Sequence, residues 1–420
     1  MIRFYNGKVL RFSPEMRLTD EEVWTDGKRI SYVGPARADA PHFDRQIDLK
    51  GDLLMPGFKN VHTHTGMTFL RSLADDMELH SWLSNQIWPN EAKLTDEAIT
   101  VLAKLGIMEY LTSGITTSFD MYFRNEMYAK ANTDCGFRTV ICSGMNNFDK
   151  DPTNIEREFL RFNNYNDLVS YRLGIHAEYT TSIDRIEYMV SLAEKYQAPC
   201  FTHLCETKSE SDSCVERYGK TAPQFLYDIG FFRYGGGGFH CCYLTEADMQ
   251  LFAENGLWAV TCPASNLKLA SGIAPIDRMR RAGMNIAIGT DGPSSNNALD
   301  MFREMYLVTA LQKVVENDAA ACPAEEVLRM ACVNGAHMLG LDDCDDIASG
   351  KLADLIVIDL NRPNMQPVNN IIKNLVYSGS KDNVRLTMVN GKVLYENGEF
   401  FIGEEPSVIY AAANSFVRGL

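Results

Sequence analysis

Eight short runs rich in β-branched and aromatic residues alternate with longer helical patterns through the middle of the chain. This alternation constrains the fold more than any other feature, because it is typical of βα units arranged around a parallel sheet. Eight such units predict an α/β fold whose strands close into a (β/α)8 TIM barrel. The runs are residues 57–64, 115–120, 138–144, 171–179, 198–206, 237–244, 257–263 and 285–291.

The two ends of the chain show a different pattern, in which short strand-like stretches are separated by turn signals. Asn-Gly dipeptides at positions 6 and 390 favour tight turns between antiparallel strands. The stretch MIRFYNGKVL at the start is also echoed by VRLTMVNGKVL near the end. We therefore predict one small β-sandwich domain built from residues 1–55 and 351–420, flanking a barrel at residues 56–350.

Composition argues against several classes of function. The 420 residues include 40 Lys and Arg against 55 Asp and Glu, and the net charge of −15 disfavours nucleic acids and anionic membranes, which attract clustered basic side chains. No stretch approaches about 18 consecutive apolar residues and no signal peptide is recognised, so we expect a cytoplasmic protein without a membrane span. The 11 cysteines form no C-x-x-C pair and are expected to be buried, reduced thiols.

Histidines and one aspartate stand where predicted barrel strands end. His62 and His64 are two residues apart on one strand, so their imidazoles project to the same face. His203 and Asp291 end two other strands, and the carboxyl ends of barrel strands converge where barrel enzymes place their chemistry. Three imidazoles and a carboxylate suit one divalent metal ion, with Zn²⁺ expected and Fe²⁺ or Mn²⁺ as alternatives.

A carboxylate and a further histidine accompany this candidate metal site. Glu206 follows His203 by three residues, within reach of a water molecule at the metal, although an exposed loop carboxylate is the commoner role of a single glutamate. His240 lies in another predicted strand and is either a contact for the same water or a hydrogen-bonded core histidine. The functional interpretation is favoured because the chain has only 8 histidines and several, including His176, fall at or near strand ends.

Seven segments, in order along nearly the whole chain, resemble motifs of the amidohydrolase superfamily. The similarity is strongest to its branch of S-adenosylhomocysteine/5′-methylthioadenosine deaminases, which is related to guanine deaminases and triazine chlorohydrolases. A single short motif gives false positives, whereas seven in the correct order identify the superfamily. The segments are residues 56–71, 88–95, 201–207, 239–244, 263–275, 289–297 and 350–359.

The resemblance implies a mononuclear metal site and a hydrolytic deamination that releases ammonia. Glu206 is implied as the general acid and base, while His240 and Asp291 are implied to orient the attacking water. The family also implies a homo-oligomer, either a dimer or a tetramer. The implied metal ligands are His62, His64, His203 and Asp291.

Four positions match substrate contacts of the family and imply a purine nucleoside as the small-molecule substrate. Glu91 matches a carboxylate that accepts hydrogen bonds from ribose hydroxyls, and His176 matches a histidine that binds the purine. Trp82 matches an aromatic residue near the 5′ side of the nucleoside, and Ser295 lies in the matching loop after Asp291. The alternatives are purely structural, such as an exposed glutamate at a helix start or a buried tryptophan.

One departure from the family bears on the 5′ group of the substrate. The relative that binds S-adenosylhomocysteine has an arginine for the amino-acid carboxylate, whereas this chain has Ser143 there. Ser143 is therefore a fifth predicted substrate contact, and it cannot supply the charge of an arginine. Arg157 and Arg161, in a following helix, are the candidates to replace it. We therefore predict a preference for 5′-methylthioadenosine, 5′-deoxyadenosine or adenosine over S-adenosylhomocysteine.

Other activities stay open on the sequence. A deaminase of guanine or of another aminopurine or pterin base would not use Glu91 to hold a ribose. A chlorohydrolase is disfavoured because Glu206 suits an amine leaving group, which needs a proton that chloride does not. A non-catalytic metal-binding protein has no need of Glu206 together with His240.

His80 is interpreted as a helix-face residue near the pocket entrance.

Overall fold

The computed structural model describes residues 1–73, 75–77 and 79–420, and the side chain of His80 lies outside this description. Nineteen strands form three sheets in these residues. The strands are β1 Ile2–Tyr5, β2 Lys8–Arg11, β3 Arg17–Thr19, β4 Glu22–Asp26, β5 Arg29–Gly34, β6 Arg45–Asp48, β7 Leu53–Pro56, β8 Phe58–Thr63, β9 Ile115–Met121, β10 Arg138–Cys142, β11 Val169–Ala177, β12 Cys200–Leu204, β13 Gly236–His240, β14 Trp258–Thr261, β15 Asn285–Ile288, β16 Leu355–Ile358, β17 Val384–Val389, β18 Lys392–Glu396 and β19 Glu399–Phe400.

The central sheet of eight strands, β8 to β15, follows chain order with all neighbouring pairs parallel. The carbonyl of His62 closes it by accepting the N–H of Thr290 at 3.2 Å and that of Asp291 at 2.9 Å. Inward side chains such as Phe119 and Phe201 fill the interior, as in a packed barrel. The prediction of a (β/α)8 barrel and of its eight strands is confirmed.

Helices connect the barrel strands, and several begin with hydroxyl caps. The hydroxyl of Thr95 accepts the N–H of Ala98 at 3.2 Å, while Thr207 and Thr245 form reciprocal capping boxes. The helices are α1 Leu79–Trp82, α2 Trp88–Glu91, α3 Asp96–Thr112, α4 Asn125–Cys135, α5 Asn154–Phe162, α6 Ile183–Tyr196, α7 Lys208–Tyr218, α8 Ala222–Asp228, α9 Glu246–Glu254, α10 Pro263–Lys268, α11 Ile276–Arg281, α12 Met301–Val315, α13 Ala324–Arg329, α14 Gly335–Leu339, α15 Ile371–Tyr377 and α16 Pro406–Arg418, with π-helical turns at Leu83–Ile87 and Met330–Asn334.

Both chain ends supply a second layer of structure made of two sheets. One has the strand order β5-β4-β1-β6, and the other has the order β19-β18-β17-β16-β7-β2-β3. The antiparallel pair of β7 and β16 joins the two ends of the chain. Phe4 and Val23 of the first sheet share a buried apolar cluster with Leu54, Val357 and Leu386 of the second. The β-sandwich built from both ends is confirmed, and its limits along the chain stay a prediction.

Two helices interrupt the C-terminal stretch that the sequence analysis assigns to strand-like segments and turns. Helix α16 has Pro406 in its first turn and buries Ile409 and Ala413, which are four residues apart and therefore share one face. That face lies toward α3, and the ring of Phe416 is 5.7 Å from that of Phe69. The spacing of Ile409 and Ala413 indicates an apolar helix face in the sequence, but the nearby turn signals favoured an interpretation as short strands and turns.

The cysteines and the helices agree with two further expectations. All eleven cysteines are free and buried, so the prediction of reduced, buried thiols is confirmed. Among the described residues, no helix combines the length and the apolar character needed to span a bilayer.

Candidate metal centre and active-site cavity

Four predicted ligands meet at the carboxyl end of the barrel. The Oδ1 atom of Asp291 lies 3.2 Å from His64 Nε2 and 3.6 Å from His62 Nε2. His203 Nε2 lies 3.4 Å from His64 Nε2. A tetrahedral ion about 2.1 Å from each ligand atom requires separations of about 3.4 Å between them. The separations of Asp291 from His62 and His64, and of His64 from His203, therefore match the spacing that a divalent metal needs.

The chemistry of these donors also fits a cation. Both ring nitrogens of His62 are buried and have no hydrogen-bond partner in the described part of the chain. Leaving buried polar atoms unpaired is costly, and coordination of a metal would satisfy the Nε2 atom that faces Asp291. A distinct but overlapping group, His62 with His203 and His240, also lies close enough to share an ion.

Hydrogen bonds from outside the cluster orient its members. His64 Nδ1 contacts the carbonyl of Met121 and His203 Nδ1 contacts the carbonyl of His176, each at 2.5 Å. Because a carbonyl only accepts, each Nδ1 carries a proton and each Nε2 is the ring nitrogen left to bind a cation in the cluster. Such contacts fix the tautomer that a metal ligand requires.

The carboxylate of Asp291 is oriented by two hydroxyl groups. Its Oδ2 atom accepts from Ser265 Oγ at 2.5 Å and from Ser295 Oγ at 2.6 Å, which leaves Oδ1 facing the histidines. The backbone of Asp291 is left-handed at φ 60°, and that of His240 is left-handed at φ 71°. Non-glycine residues pay about 1 kcal/mol for this conformation, which here aims side chains from the strand ends toward one point.

The pKa shifts follow from burial and from the single carboxylate. Burial lowers the pKa of His62 and His203 well below the usual range, so both are neutral, as a metal ligand must be. Burial acts to raise the pKa of Asp291, but hydrogen bonding to His64 and the nearby histidines hold it well below its usual range. Burial opposes protonation of His64, yet Asp291 raises the pKa of that imidazole to about 9. The carboxylate charge thus favours a cation at this point.

Glu206 and His240 lie beside the cluster. Glu206 Oε2 is 3.8 Å from His240 Nε2, and Glu206 Oε1 accepts from Ser271 Oγ at 2.9 Å. His240 Nδ1 is held by Asn266 Oδ1 at 2.7 Å. Burial lowers the pKa of His240, but the charges of Glu206 and Asp291 outweigh this and raise it. A carboxylate and an imidazole in this arrangement can exchange a proton through one water.

The backbone that carries Glu206 is clamped by a second carboxylate. Glu210, in the first turn of α7, accepts the N–H of Cys205 and the N–H of Glu206, each at 2.9 Å. Cys205 itself is left-handed at φ 50°. Burial, followed by the like charge of Glu206, raises the pKa of Glu210 to about 7. The clamp holds the Glu206 side chain against the cluster.

A cavity of about 750 Å³ connects the cluster with the surface. Of the predicted substrate contacts, Glu91, Trp82, His176 and Ser143 line this cavity, whereas Ser295 does not. The cavity therefore brings together four of the five side chains that the sequence analysis assigns to substrate.

Glu91 and its neighbours carry unsatisfied polar atoms into this cavity. Glu91 Oε1, the Tyr122 hydroxyl and Trp82 Nε1 are buried and lack hydrogen-bond partners within the described residues. Burial raises the pKa of Glu91 to about 7, against the lowering effect of Tyr122. His176 is oriented by its Nδ1 contact with Thr180 Oγ1 at 2.9 Å. Unpaired buried groups on a cavity wall are suited to a polar ligand.

The two predicted serine contacts are already engaged with protein groups. Ser143 Oγ donates to the carbonyl of Gly174 at 2.9 Å and accepts its N–H at 2.7 Å. Ser295 Oγ donates to Asp291 and also lies 3.1 Å from the carbonyl of Gly292. Their roles toward a substrate stay predictions, and the structure places Ser295 as a support for Asp291.

Neither candidate arginine reaches the cavity. Arg157 pairs with Asp151 at 2.7 Å and Arg161 pairs with Glu126 at 2.6 Å, and both side chains are more than half exposed. The cavity wall instead carries Lys150, which forms no hydrogen bond or ion pair in the described residues. A lysine in a loop gave no sequence signal of its own.

Aromatic side chains line the outer part of the cavity. The rings of Trp88 and Phe148 lie 5.3 Å apart and come from α2 and from the loop after β10. Phe148 is 69% exposed, which marks this pair as the mouth. Sequence analysis named neither residue, although Trp88 begins one of its motif segments. The interpretation of His80 concerns a side chain outside the described part of the structure.

The residues that sequence analysis missed mostly support the ones it named. Ser265, Asn266 and Ser271 lie in a motif segment, but nothing in the sequence distinguishes which of them would contact Asp291, His240 or Glu206. The motif was the available signal. The roles within it depend on the conformation of α10 and the loop that follows.

Fold and site together define a (β/α)8-barrel hydrolase with a centre of histidines and aspartate for a divalent metal. The sequence profile of the amidohydrolase family matches residues 53–394. The chain belongs to the amidohydrolase family.

Several proteins that are similar to this one over nearly the whole chain are named as deaminases. A 5-methylthioadenosine/S-adenosylhomocysteine deaminase of Thermococcus onnurineus is 42% identical, with 94% of each chain covered. A protein of the same name from Caldanaerobacter subterraneus subsp. tengcongensis is 37% identical over 99% of this chain and 98% of its own. The crystal structure of an adenosine deaminase from Xanthomonas campestris with bound zinc is 32% identical, with a TM-score of 0.94, and covers 100% of this chain and 99% of its own.

Proposed function

We propose that this protein catalyses the metal-dependent hydrolytic deamination of a purine nucleoside, replacing the exocyclic amine of the base by oxygen and releasing ammonia. The observation that carries the proposal is the position of Glu206, beside His240 and the four ligand residues, with Ser271 bound to one of its oxygens. The names of the similar proteins, which act on adenosine or on 5′-modified adenosines, support the same reaction.

The metal we propose is one Zn²⁺ per subunit, with Fe²⁺ and Mn²⁺ as alternatives. The zinc bound in the similar adenosine deaminase supports this choice. A divalent ion bound here lowers the pKa of water and so supplies a nucleophile at neutral pH. The residues that would hold it are His62, His64, His203 and Asp291.

Glu206 moves the protons of the reaction in this proposal. It accepts a proton from the attacking water and delivers it to a ring nitrogen of the base, a role that needs a carboxylate within hydrogen-bond reach. Ser271 holds Oε1, so Oε2 is the atom that exchanges the proton. His240, fixed by Asn266, orients the water together with Asp291. The amine leaves as ammonia after it gains the second proton of the attacking water, which His240 and Asp291 help to move as the C–N bond breaks; a chloride leaving group needs no such proton.

The substrate side of the cavity supports a nucleoside. Glu91 Oε1 is buried and has no hydrogen-bond partner among the residues that the structure describes, so it is suited to accept hydrogen bonds from the ribose hydroxyls. His176, with Nδ1 engaged by Thr180, has its other ring nitrogen available for the purine. Trp82 packs on the cavity wall beside them. These roles are proposals for this chain.

An uncharged 5′ group is the substrate feature that we propose the cavity prefers. Asp149, Asp151 and Glu158 line the wall that also carries Lys150 and Arg124. Asp151 is paired with Arg157 and Arg124 with Asp96, which leaves the carboxylates of Asp149 and Glu158 facing one ammonium group, that of Lys150. The aromatic pair of Trp88 and Phe148 adds apolar surface at the mouth. These features favour 5′-methylthioadenosine, 5′-deoxyadenosine or adenosine over S-adenosylhomocysteine, whose tail ends in a carboxylate.

The remaining parts of the proposal concern organisation. We propose a barrel domain at residues 56–350 and a sandwich domain from the two flanking segments. A homodimer or homotetramer in the cytoplasm is also proposed, on the basis of the family resemblance and the composition of the chain.

Ammonia release from a panel of substrates tests the proposed function. The panel contains adenosine, 5′-deoxyadenosine, 5′-methylthioadenosine and S-adenosylhomocysteine, with adenine, guanine and a chlorotriazine as controls. We expect the highest kcat/KM for a nucleoside with an uncharged 5′ group. A higher kcat/KM for a free base would contradict the nucleoside assignment, and comparable values for S-adenosylhomocysteine would overturn the 5′ preference.

A further inference from the structure

Glu304 is a fully buried carboxylate near the start of α12. Its Oε2 accepts the N–H of Ala264 at 3.0 Å, and its Oε1 accepts from Asn296 Nδ2 at 2.7 Å. No lysine or arginine in the described residues forms an ion pair with it. Burial raises the pKa of Glu304, whereas the hydrogen bonds from Ala264 and Asn296 act to lower it, so these two donors are what stabilise the carboxylate form. Two neutral donors therefore account for the contacts of this side chain.

The first of these contacts leads to α10. Ala264 lies in the first turn of that helix, and its neighbours Ser265 and Asn266 face the active site. Ser265 Oγ donates to Asp291 Oδ2 at 2.5 Å, and Asn266 Oδ1 contacts His240 Nδ1 at 2.7 Å. A helix of two turns thus holds both groups that orient the attacking water in the proposed mechanism.

The second contact leads to the loop after β15. Asn296 Nδ2 also donates to the carbonyl of Thr290 at 2.6 Å, and its neighbour Ser295 donates to Asp291 Oδ2 at 2.6 Å. Glu304 therefore joins the two segments whose hydroxyl groups converge on one oxygen of Asp291. If either segment shifts, Asp291 Oδ2 loses a hydrogen-bond donor. The carboxylate can then rotate, and Oδ1 no longer keeps its orientation toward the histidines.

From these contacts we propose that Glu304 is a positioning residue that holds Asp291 and His240 in the orientation that the reaction needs. It lies outside the cavity and touches neither the ligand cluster nor the substrate wall. The inference rests on the proposed function, because it takes Asp291 as a metal ligand and His240 as an orienting group.

The variant Glu304→Gln tests this role with little change in shape. It replaces one of the two accepting oxygens by an NH2 group, which only donates. One of the two hydrogen-bond donors, the N–H of Ala264 or the Nδ2 of Asn296, therefore loses its acceptor. Loss of a hydrogen bond made directly to a metal ligand costs about 10- to 100-fold in metal affinity or activity, and this is the upper limit for Glu304, which reaches Asp291 only through the segments of Ser265 and Ser295. We expect a rise of up to that size in the Kd for Zn²⁺, measured by chelator competition, or a comparable fall in kcat. The KM for adenosine should stay within about threefold, because Glu91 and His176 are untouched.

A matched control separates positioning from general stabilisation. Asp346 is another buried carboxylate that accepts backbone N–H groups, those of Phe12, Ser13 and Ile347, and none of these residues lines the cavity. Asp346→Asn should lower the thermal midpoint while leaving the Zn²⁺ affinity and kcat of the folded protein unchanged. Glu304→Gln combined with Ser265→Ala should cost less than the sum of the two single changes, because both act on Asp291.

Three results would overturn the proposal. They are a Zn²⁺ affinity and kcat of wild-type size in Glu304→Gln, a loss of kcat that only follows the folded fraction as in the control, and full additivity with Ser265→Ala. If Glu304→Gln does not fold, Asn296→Ala breaks the same link from the other side and is judged by the same measurements. If the wild type does not deaminate adenosine, the proposed function fails, while the Zn²⁺ affinities still decide the role of Glu304.

Discussion

Replacing Glu206 by Gln separates proton transfer from metal binding. The amide has the same shape as the carboxylate, and its oxygen can still accept the hydrogen bond from Ser271 Oγ. The change therefore removes only Oε2, the carboxylate oxygen that accepts the proton in the proposed mechanism. General acid–base catalysis contributes about 10²- to 10⁴-fold, and at about 1.4 kcal/mol per tenfold this range corresponds to a barrier higher by about 3 to 5 kcal/mol.

The stability and the metal content of Glu206→Gln should change little. The hydrogen bond to Ser271 contributes about 1 kcal/mol net, and the variant retains it. Glu206 is not among the four proposed ligand residues, and the one histidine within 4 Å of its carboxylate in the described residues is His240, at 3.8 Å. Zinc content measured by elemental analysis should therefore equal that of the wild type, and the thermal midpoint should move by only a few degrees.

The assay is ammonia release from adenosine at saturating substrate, together with single-turnover measurements that isolate the chemical step. Glu216→Gln is the matched control, because it makes the same change at an exposed position on α7. A zinc-loaded Glu206→Gln protein with kcat within tenfold of the wild type would refute the role of this carboxylate. Loss of zinc from the variant would show instead that Glu206 belongs to the ligand set.

Four further predictions follow from the site and the fold. Because burial raises the pKa of Glu91 to about 7, its carboxylate gains a proton as the pH falls through 7. The KM for adenosine should therefore rise over this pH range in the wild type but not in Glu91→Gln. An identical pH profile for free adenine, which has no ribose, would exclude the ribose contact. Lys150→Ala should lower kcat/KM for S-adenosylhomocysteine while sparing 5′-methylthioadenosine, with the exposed Lys392→Ala as control, and equal losses on both substrates would contradict this. Treatment with a chelator should abolish ammonia release and added Zn²⁺ should restore it, whereas full activity in protein shown by elemental analysis to be metal-free would exclude the metal. Arg138→Met leaves Asp354 buried without its partner and should cost about 3 to 5 kcal/mol in urea unfolding, an effect absent in the exposed Arg37→Met.

The sequence by itself was sufficient for the barrel, the sandwich and the convergence of the main site residues. Runs such as 115–120 and 285–291 carry a strand signal that is local, and the alternation with helices leaves few topologies other than a parallel barrel. Once the strands are parallel, residues at their carboxyl ends lie at one end of the barrel, which brings His62 and His203 together. Asp291 follows β15 by three residues, so its position also depends on the left-handed backbone of that turn. Helix α16 was missed because a short apolar face had to be distinguished from nearby turn signals.

Only the tertiary structure decided how the supporting groups are used. The hydroxyl group of Ser143 binds the backbone of Gly174 on the neighbouring strand β11, an engagement that the residue types alone do not reveal. The hydroxyl group of Ser295 binds Asp291 because of the conformation of the loop after β15, which no local pattern encodes. Whether an arginine or Lys150 reaches the cavity depends on the directions of side chains from a helix and a loop. Glu304 lies 13 residues beyond Asp291 in the chain, yet it acts on this site only because α12 packs beneath α10 and the loop after β15. Strand order follows from local periodicity, whereas hydrogen-bond partners follow from packing between segments distant in the chain.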